Sequence, residues 1–174
     1  THKFIWRIIL CGMLASPMAG HTAGPDPLPA LQAKPVQFSG SLGNGARSGN
    51  VRILGLLELP AISLDGVRLA ELSDLAWDDD NGILYAVSDQ GGLFWMRPEF
   101  RNGYLTDITA EKALRLREPH DGKAVRWKRT DAEGMAILKG RNGRRNDAEL
   151  IISFEREPRI LRYRTDGSAI DQYR

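Results

Sequence analysis

Apolar and polar residues alternate in short runs along most of the chain, and the runs end at residues that favour turns. From Val51 a strand-like run ends at Pro60, which lacks the N–H group that a strand ladder needs. Further on, "DLAWD", "ILYAVSD" and "LFWMR" are separated by the turn sequences "DDNG" and "QGG". Short runs bounded by Gly, Asn and Asp predict β-strands that are joined by hairpin turns.

Residues 102–118, "NGYLTDITAEKALRLRE", are compatible with two structures. Their β-branched and aromatic residues favour a fourth strand. The part "TAEKALRL", however, consists largely of good helix formers. We predict the strand, because it continues the regular order of the strands before it.

The order of the strands then repeats. "DAEGMAILKG", "AELIISFE" and "PRILRYRTDG" follow one another as "LSDLAWDDDNG", "ILYAVSD" and "GGLFWMRPE" do, about 60 residues earlier. In the last of these strands Leu161 and Tyr163 are predicted to face one side, and Ile160 and Arg162 the other. Strands repeated at a fixed period predict propeller blades of four antiparallel strands.

Two such units, the second without its last strand, cannot close a ring that typically needs at least four blades. The predicted fold class is therefore all-β and β-propeller-like, as an incomplete, N-terminal portion of a larger propeller. The alternative is an independent β-sandwich of short strands.

The N-terminal segment has the pattern of a secretory signal. Lys3 and Arg7 precede the apolar run "IILCGMLA", and small residues follow it. The apolar run is far shorter than the roughly 20 residues that span a bilayer. We predict a signal peptide over 1–24, a Pro/Gly/Ser-rich linker over 25–50 and a partial propeller domain over 51–174. Export to the periplasm or the extracellular space follows, with no stable membrane span after removal of the signal.

Loss of the signal changes the charge and the cysteine content. Without Lys3 and Arg7 the chain has 22 basic and 22 acidic residues, and the two signs are interspersed. Nucleic-acid binders carry a basic stripe instead, so we expect no nucleic-acid partner. Cys11, the single cysteine, is lost with the signal, which excludes a disulfide framework. We expect no nucleotide, haem or zinc.

Acidic residues fall into two classes. The three aspartates of "DDDNG", 78–80, are predicted to form a largely exposed hairpin turn. Asp74 and Asp89 stand at strand ends of the first unit, and Glu133 and Glu155 in the corresponding places of the second. Converging carboxylates raise a pKa or recruit a cation, and oxygen ligands favour Ca²⁺ or Mg²⁺. Alternatively, these residues cap strand ends.

Two arginines flank Glu155 and are candidates for binding an anion. Arg156 and Arg159 carry guanidinium groups, whose donors match phosphate oxygens. The alternative is surface pairing with Glu155 or Glu157. The loop 140–145, "GRNGRR", is a further candidate for binding phosphate, and its alternative is a solvated loop.

The sequences "LSDLAWDDDNGILYAVSDQG", "DAEGMAIL" and "LIISFEREPRILRYRTDG" together resemble the phytase-like family, described as having esterase-like activity of phytase. The family comprises exported bacterial proteins with a propeller-like fold, and the resemblance covers about 57–167. The positions that match the family's motifs are Asp89, Asp131, Glu133, Gly134, Glu155, Pro158 and Arg159.

The resemblance implies metal-assisted hydrolysis of phosphate or other esters, with Ca²⁺ as cofactor and a small-molecule ester or phosphoester as substrate. For such a reaction we predict the catalytic residues Glu133, Glu155 and Arg159, the substrate-binding residues Arg156 and Arg159, and the metal ligands Asp89, Asp131, Glu133 and Glu155. The alternative function is a non-catalytic propeller of the cell envelope that binds a ligand or partner and holds a structural cation.

Overall fold

The computed structural model describes residues 6–11, 31–40, 43–126 and 129–173. These ranges contain no α-helix, which confirms the predicted all-β fold, and none of their segments is a helix that could cross a membrane. The fourteen described strands are β1 Trp6–Cys11, β2 Lys34–Pro35, β3 Arg47–Ser48, β4 Val51–Leu59, β5 Ile62–Leu64, β6 Val67–Leu69, β7 Leu72–Asp78, β8 Ile83–Ser88, β9 Gly92–Arg101, β10 Tyr104–Arg115, β11 Ala132–Leu138, β12 Glu149–Phe154, β13 Arg159–Arg164 and β14 Ala169–Tyr173.

Hydrogen bonds join the described strands into four open sheets. β4 pairs with β1, β2 and β3, and β5 forms a hairpin with β6. The remaining strands form the first repeat sheet, β7–β10, and the second repeat sheet, β11–β14, in which every strand neighbours the next along the chain. Each repeat sheet is thus a four-stranded meander, the unit from which propellers are built.

The structure decides two questions that the sequence left open. The segment with both strand and helix propensity is a strand, β10, as predicted. The prediction that the second unit lacks its last strand is wrong. β14 pairs antiparallel with β13, with Ile160 opposite Tyr173, so the second repeat has all four strands. The polar composition of "AIDQY" hid this strand, because three of its five residues are exposed.

The chain divides into two compact units. The larger contains Ala61–Arg97 and Ala110–Arg174, and the smaller contains Arg7–Pro60 and Pro98–Thr109. All candidate site residues belong to the larger unit. The predicted signal segment, apart from β1, lies outside the described residues, as does part of the predicted linker.

Apolar side chains of both repeat sheets form one core in the larger unit. Along β12, Leu150, Ile152 and Phe154 are buried in alternation with residues of the other face. Leu161 and Tyr163 of β13 continue this face, at 1% and 0% exposure, whereas Ile160 is 44% exposed. The predicted alternation in β13 is therefore confirmed. The first repeat sheet contributes residues such as Tyr85, Val87, Leu93 and Trp95.

Asp74 links β7 and β11, the first strands of the two repeat sheets. Its carboxylate accepts hydrogen bonds from Leu75 N in its own strand, at 2.8 Å, and from Met135 N in β11, at 2.7 Å. Gly134, the residue before Met135, avoids a clash with Ser153, since a Cβ at that position would lie 2.9 Å from Ser153 Oγ. Asp74 therefore acts as a structural link, which is the strand-end role that the sequence left open for it.

The "DDDNG" turn differs from the prediction in one aspartate. Asp78 is fully buried, and its carboxylate accepts hydrogen bonds from the backbone N and the Nδ2 of Asn81. The carboxylate of Asp80 accepts hydrogen bonds from Asn142 N and Gly143 N, at 2.7 and 3.0 Å. These two N–H groups belong to the "GRNGRR" loop that was a candidate for phosphate. Asp80 already supplies the anion that they bind.

We predict that Asp74→Ala lowers the free energy of unfolding by about 1–3 kcal/mol, because two backbone N–H groups lose their acceptor. Urea denaturation measures the change. Asp107→Ala is the matched control, since the bond that Asp107 accepts from Ile108 N, at 2.8 Å, is a local one like the bond from Leu75 N to Asp74. Equal losses in the two variants would show that the bond to Met135 contributes nothing.

Candidate functional site

Three backbone hydrogen bonds connect the strand ends at one edge of the two repeat sheets. Asp89 N donates to Glu71 O at 3.0 Å, and Glu155 N donates to Asp131 O at 3.0 Å. Between these two equivalent bonds, Asp131 N donates to Asp89 O and thereby joins the repeats. Four acidic residues are consequently held next to one another by their own main chain.

Asp131, Glu133 and Glu155, hereafter the acidic group, form the most compact cluster at this edge. One carboxylate oxygen from each lies within 4.8 Å of the others. Asp131 precedes β11 and Glu155 follows β12, while Glu133 occupies a β-bulge between Ala132 and Gly134. A bulge leaves one residue out of the ladder and re-aims its side chain, and this is how Glu133 comes to join the other two.

The strand register corrects the predicted correspondence between the repeats by one residue. A bulge also separates Leu72 from Asp74. Ser73 is therefore the counterpart of Glu133, and Asp74 is the counterpart of Gly134. Glu71 is then the counterpart of Asp131, and both have a left-handed backbone, with φ of 55° and 60°. Sequence reasoning missed Glu71. Its position directly before the first strand of its repeat was the available signal.

Asp89 lies beside the acidic group without entering it. Burial, followed by the neighbouring charge of Glu71, raises the pKa of Asp89 to about 6. Gln90 Nε2 donates a hydrogen bond to Glu71 Oε2. The Asp89 Oδ1 atom is buried without a hydrogen-bond partner among the described residues. The predicted ligand Asp89 is therefore close in space, but its carboxylate belongs to a pair with Glu71.

The two candidate arginines have opposite environments. Arg156 is half exposed, and its Nε lies 3.0 Å from Asp131 Oδ2 at the margin of the acidic group. Arg159 is only 8% exposed, and its guanidinium stacks on the Phe154 ring, with 4.1 Å between Cζ and the ring centroid. Arg156 is thus available to a ligand from solvent, whereas Arg159 lies beneath the site.

The guanidinium of Arg159 is used inside the protein. Nη1 donates to Arg156 O at 2.9 Å and to Glu157 O at 3.0 Å, and Nη2 donates to Arg129 O. Desolvation by burial, and then the charge of Arg129, lower the pKa of Arg159. The substrate-binding role assigned to Arg159 from the sequence stays a prediction. In the structure, the contacts of Arg159 are with the main chain of the loops around the acidic group.

Arg129 and Glu118 are further site components that the sequence did not indicate. Arg129 Nη1 binds Glu118 Oε1 at 3.0 Å, and Arg129 Nε lies 2.6 Å from Glu157 Oε2. Glu118 is buried despite its position in a polar loop. No motif or spacing distinguishes these residues from surface charges, because their pairing depends on how the loop before β11 folds back.

Comparison with known proteins gives one match. A family model for phytase-like proteins, described as esterase-like activity of phytase, matches residues 67–174. This range covers more than half of the chain and contains both repeat sheets and the acidic group. No curated protein and no solved structure matches significantly. The resemblance inferred from the motifs is confirmed, and the chain belongs to the phytase-like family.

Proposed function

We propose that this chain is part of an exported hydrolase of phosphate or other esters, which acts with a divalent cation at the acidic group. The observation that carries the proposal is the convergence of Asp131, Glu133 and Glu155 next to the exposed guanidinium of Arg156. A family match supports the hydrolase class. The signal-like N-terminal sequence supports export to the periplasm or the extracellular space.

The residues of the acidic group suit a hard cation. All three offer carboxylate oxygens, and Ca²⁺ in proteins takes 6–8 oxygen ligands, many of them from carboxylates and water. Glu133 and Glu155 are exposed, so water has access to complete such a shell. The absence of His and Cys from the group disfavours zinc. Asp131, Glu133 and Glu155 would hold the cation, with Asp89 as a neighbouring carboxyl.

When bound, the cation would polarise the ester or phosphoryl oxygen and favour attack by water. Glu133 and Glu155, the exposed members of the group, would orient that water and accept its proton. Arg156 would turn from Asp131 toward the anionic part of the substrate, where a guanidinium matches a phosphate or carboxylate group.

We also propose that the two repeat sheets are part of a larger propeller. The face of the first repeat sheet that carries Tyr85, Leu93 and Trp95 is covered by the second repeat sheet. The corresponding face of the second carries Ile160 and Tyr173, which are 44% and 46% exposed. A further sheet of the same kind on this face would repeat the packing that the first two already have.

We expect calcium-dependent turnover of at least one of phytate, an aryl phosphate and an aryl acetate by the mature protein, lost on addition of chelator. Glu133→Gln and Glu155→Gln should lower turnover by about a hundredfold or more, since general acid–base groups contribute roughly 10²–10⁴. Glu149→Gln is the matched control, because Glu149 begins β12, at the end opposite Glu155, and pairs with Lys139.

Absence of turnover on all three substrates, with calcium still raising the melting temperature, would contradict the enzyme and favour a binding protein with a structural cation. Equal loss in Glu149→Gln would show that the effect is on folding.

The raised pKa of Asp89 predicts a pH-dependent stability in the presence of chelator. The folded state holds this proton more tightly than the unfolded state, in which the pKa has its ordinary value of 3.8. The resulting stabilisation is complete below about pH 4 and is lost as the pH rises through about 6. Urea denaturation should therefore show Asp89→Asn gaining stability relative to the wild type between pH 4 and 7. A constant difference across this range would contradict the assignment.

A further inference from the structure

We infer that Arg159 is a positioning residue that holds the two loops of the acidic group together, so that its loss weakens cation binding although no ligand residue is changed. The inference rests on the proposed cation site. It differs from the role suggested by the sequence, in which Arg159 contacts the substrate itself.

The contacts of Arg159 span both loops. Nη1 binds two carbonyl oxygens of the turn between β12 and β13, the turn that begins with Glu155. Nη2 binds Arg129 O, two residues before Asp131 in the loop that enters β11. A planar guanidinium presents its donors in a fixed geometry, so a single buried side chain fixes the distance between the two loops.

Backbone conformation indicates that the turn after β12 needs such support. Glu157 has φ of 53°, in the left-handed region that residues with a side chain seldom adopt. Its carbonyl oxygen accepts a hydrogen bond from Arg159 Nη1. Strained residues persist where the surrounding structure determines their conformation, and Arg159 contributes to that determination here.

The first repeat provides an internal comparison. Its strand register places Gly92 at the position of Arg159 and Ser73 at the position of Glu133. No larger side chain fits at Gly92, because a Cβ there would lie 2.9 Å from Ser88 Oγ and from Val67 Cγ1. Arg159 and the bulged residue Glu133 therefore occur together in the second repeat, and the first repeat has neither an arginine nor a glutamate at these positions.

The contacts of Arg159 with the two loops, hereafter the clamp, are extended by the ion pairs of Arg129. Arg129 connects the buried Glu118 to Glu157 of the opposite turn, so side chains and main chain tie the same two loops. The Nε of Arg159 and the hydroxyl of Tyr163 are buried without partners among the described residues. Burying a guanidinium is costly, and the hydrogen bonds of Nη1 and Nη2 to the two loops offset part of that cost. We therefore expect these bonds, and not packing alone, to account for the position of Arg159.

The test compares Arg159→Lys and Arg159→Gln with the wild type. Calcium titration by calorimetry should show an affinity about 10- to 100-fold lower in both, as for other groups that support metal ligands. Hydrogen exchange without calcium should show faster exchange of the Glu155 and Asp131 amides, whereas the Ile152 amide in the middle of β12 stays protected. Arg162→Lys is the matched control, because Arg162 lies on the other face of β13 and makes a two-point contact with Asp171.

Each outcome decides one claim. Lower melting temperatures in the Arg159 variants, with unchanged calcium affinity and unchanged exchange at Glu155, would overturn the inference and leave Arg159 a packing residue. A wild type that binds no calcium would refute the cation site of the proposed function. The exchange experiment would still judge the clamp, since unchanged protection of the Glu155 amide overturns it without reference to calcium.

Discussion

The candidate site depends on backbone hydrogen bonds that hold like charges close together. Carboxylates within 5 Å of one another repel, and an isolated loop would separate them. Here the main chain opposes that separation, because Glu155 N is bound to Asp131 O and Asp131 N to Asp89 O. A cation at the acidic group would reduce the repulsion between these carboxylates.

At this edge the two repeats differ in the turn between their second and third strands. In the first, a turn of three residues ends at Gly92, whose N–H is bound by Ser88 Oγ. In the second, the turn is one residue longer, and Arg159 fills the space beneath it with a guanidinium stacked on Phe154. The longer turn brings Glu155 and Arg156 to the surface near Asp131. The repeated strands thus form the scaffold, and the residues that depart from the repeat form the candidate site.

The strands could be predicted because apolar residues alternate with polar ones or follow one another in short runs, as in β12 and β13. Turn residues separate these runs. Residue-level errors arose where local geometry departs from a regular strand. The repeat alignment was shifted by one residue because acidic Asp74 was matched with acidic Glu133, whereas the bulged counterpart of Glu133 is Ser73. The charge of "DDD" concealed the burial of Asp78. The polar neighbours of Arg159 suggested that its side chain is accessible. Alternate residues of a strand share a face, however, so its spacing from Leu161 and Tyr163 was the signal that Arg159 faces the core.

The most direct test of the account is the location of a bound ion. Crystals of the chain grown with Mn²⁺, which has a measurable anomalous signal and takes oxygen ligands as Ca²⁺ does, would give an anomalous difference map. The account predicts a peak between the carboxylates of Asp131, Glu133 and Glu155, displaced by calcium and absent in Glu133→Gln. A map without density at the acidic group, or with the ion bound only elsewhere, would contradict it.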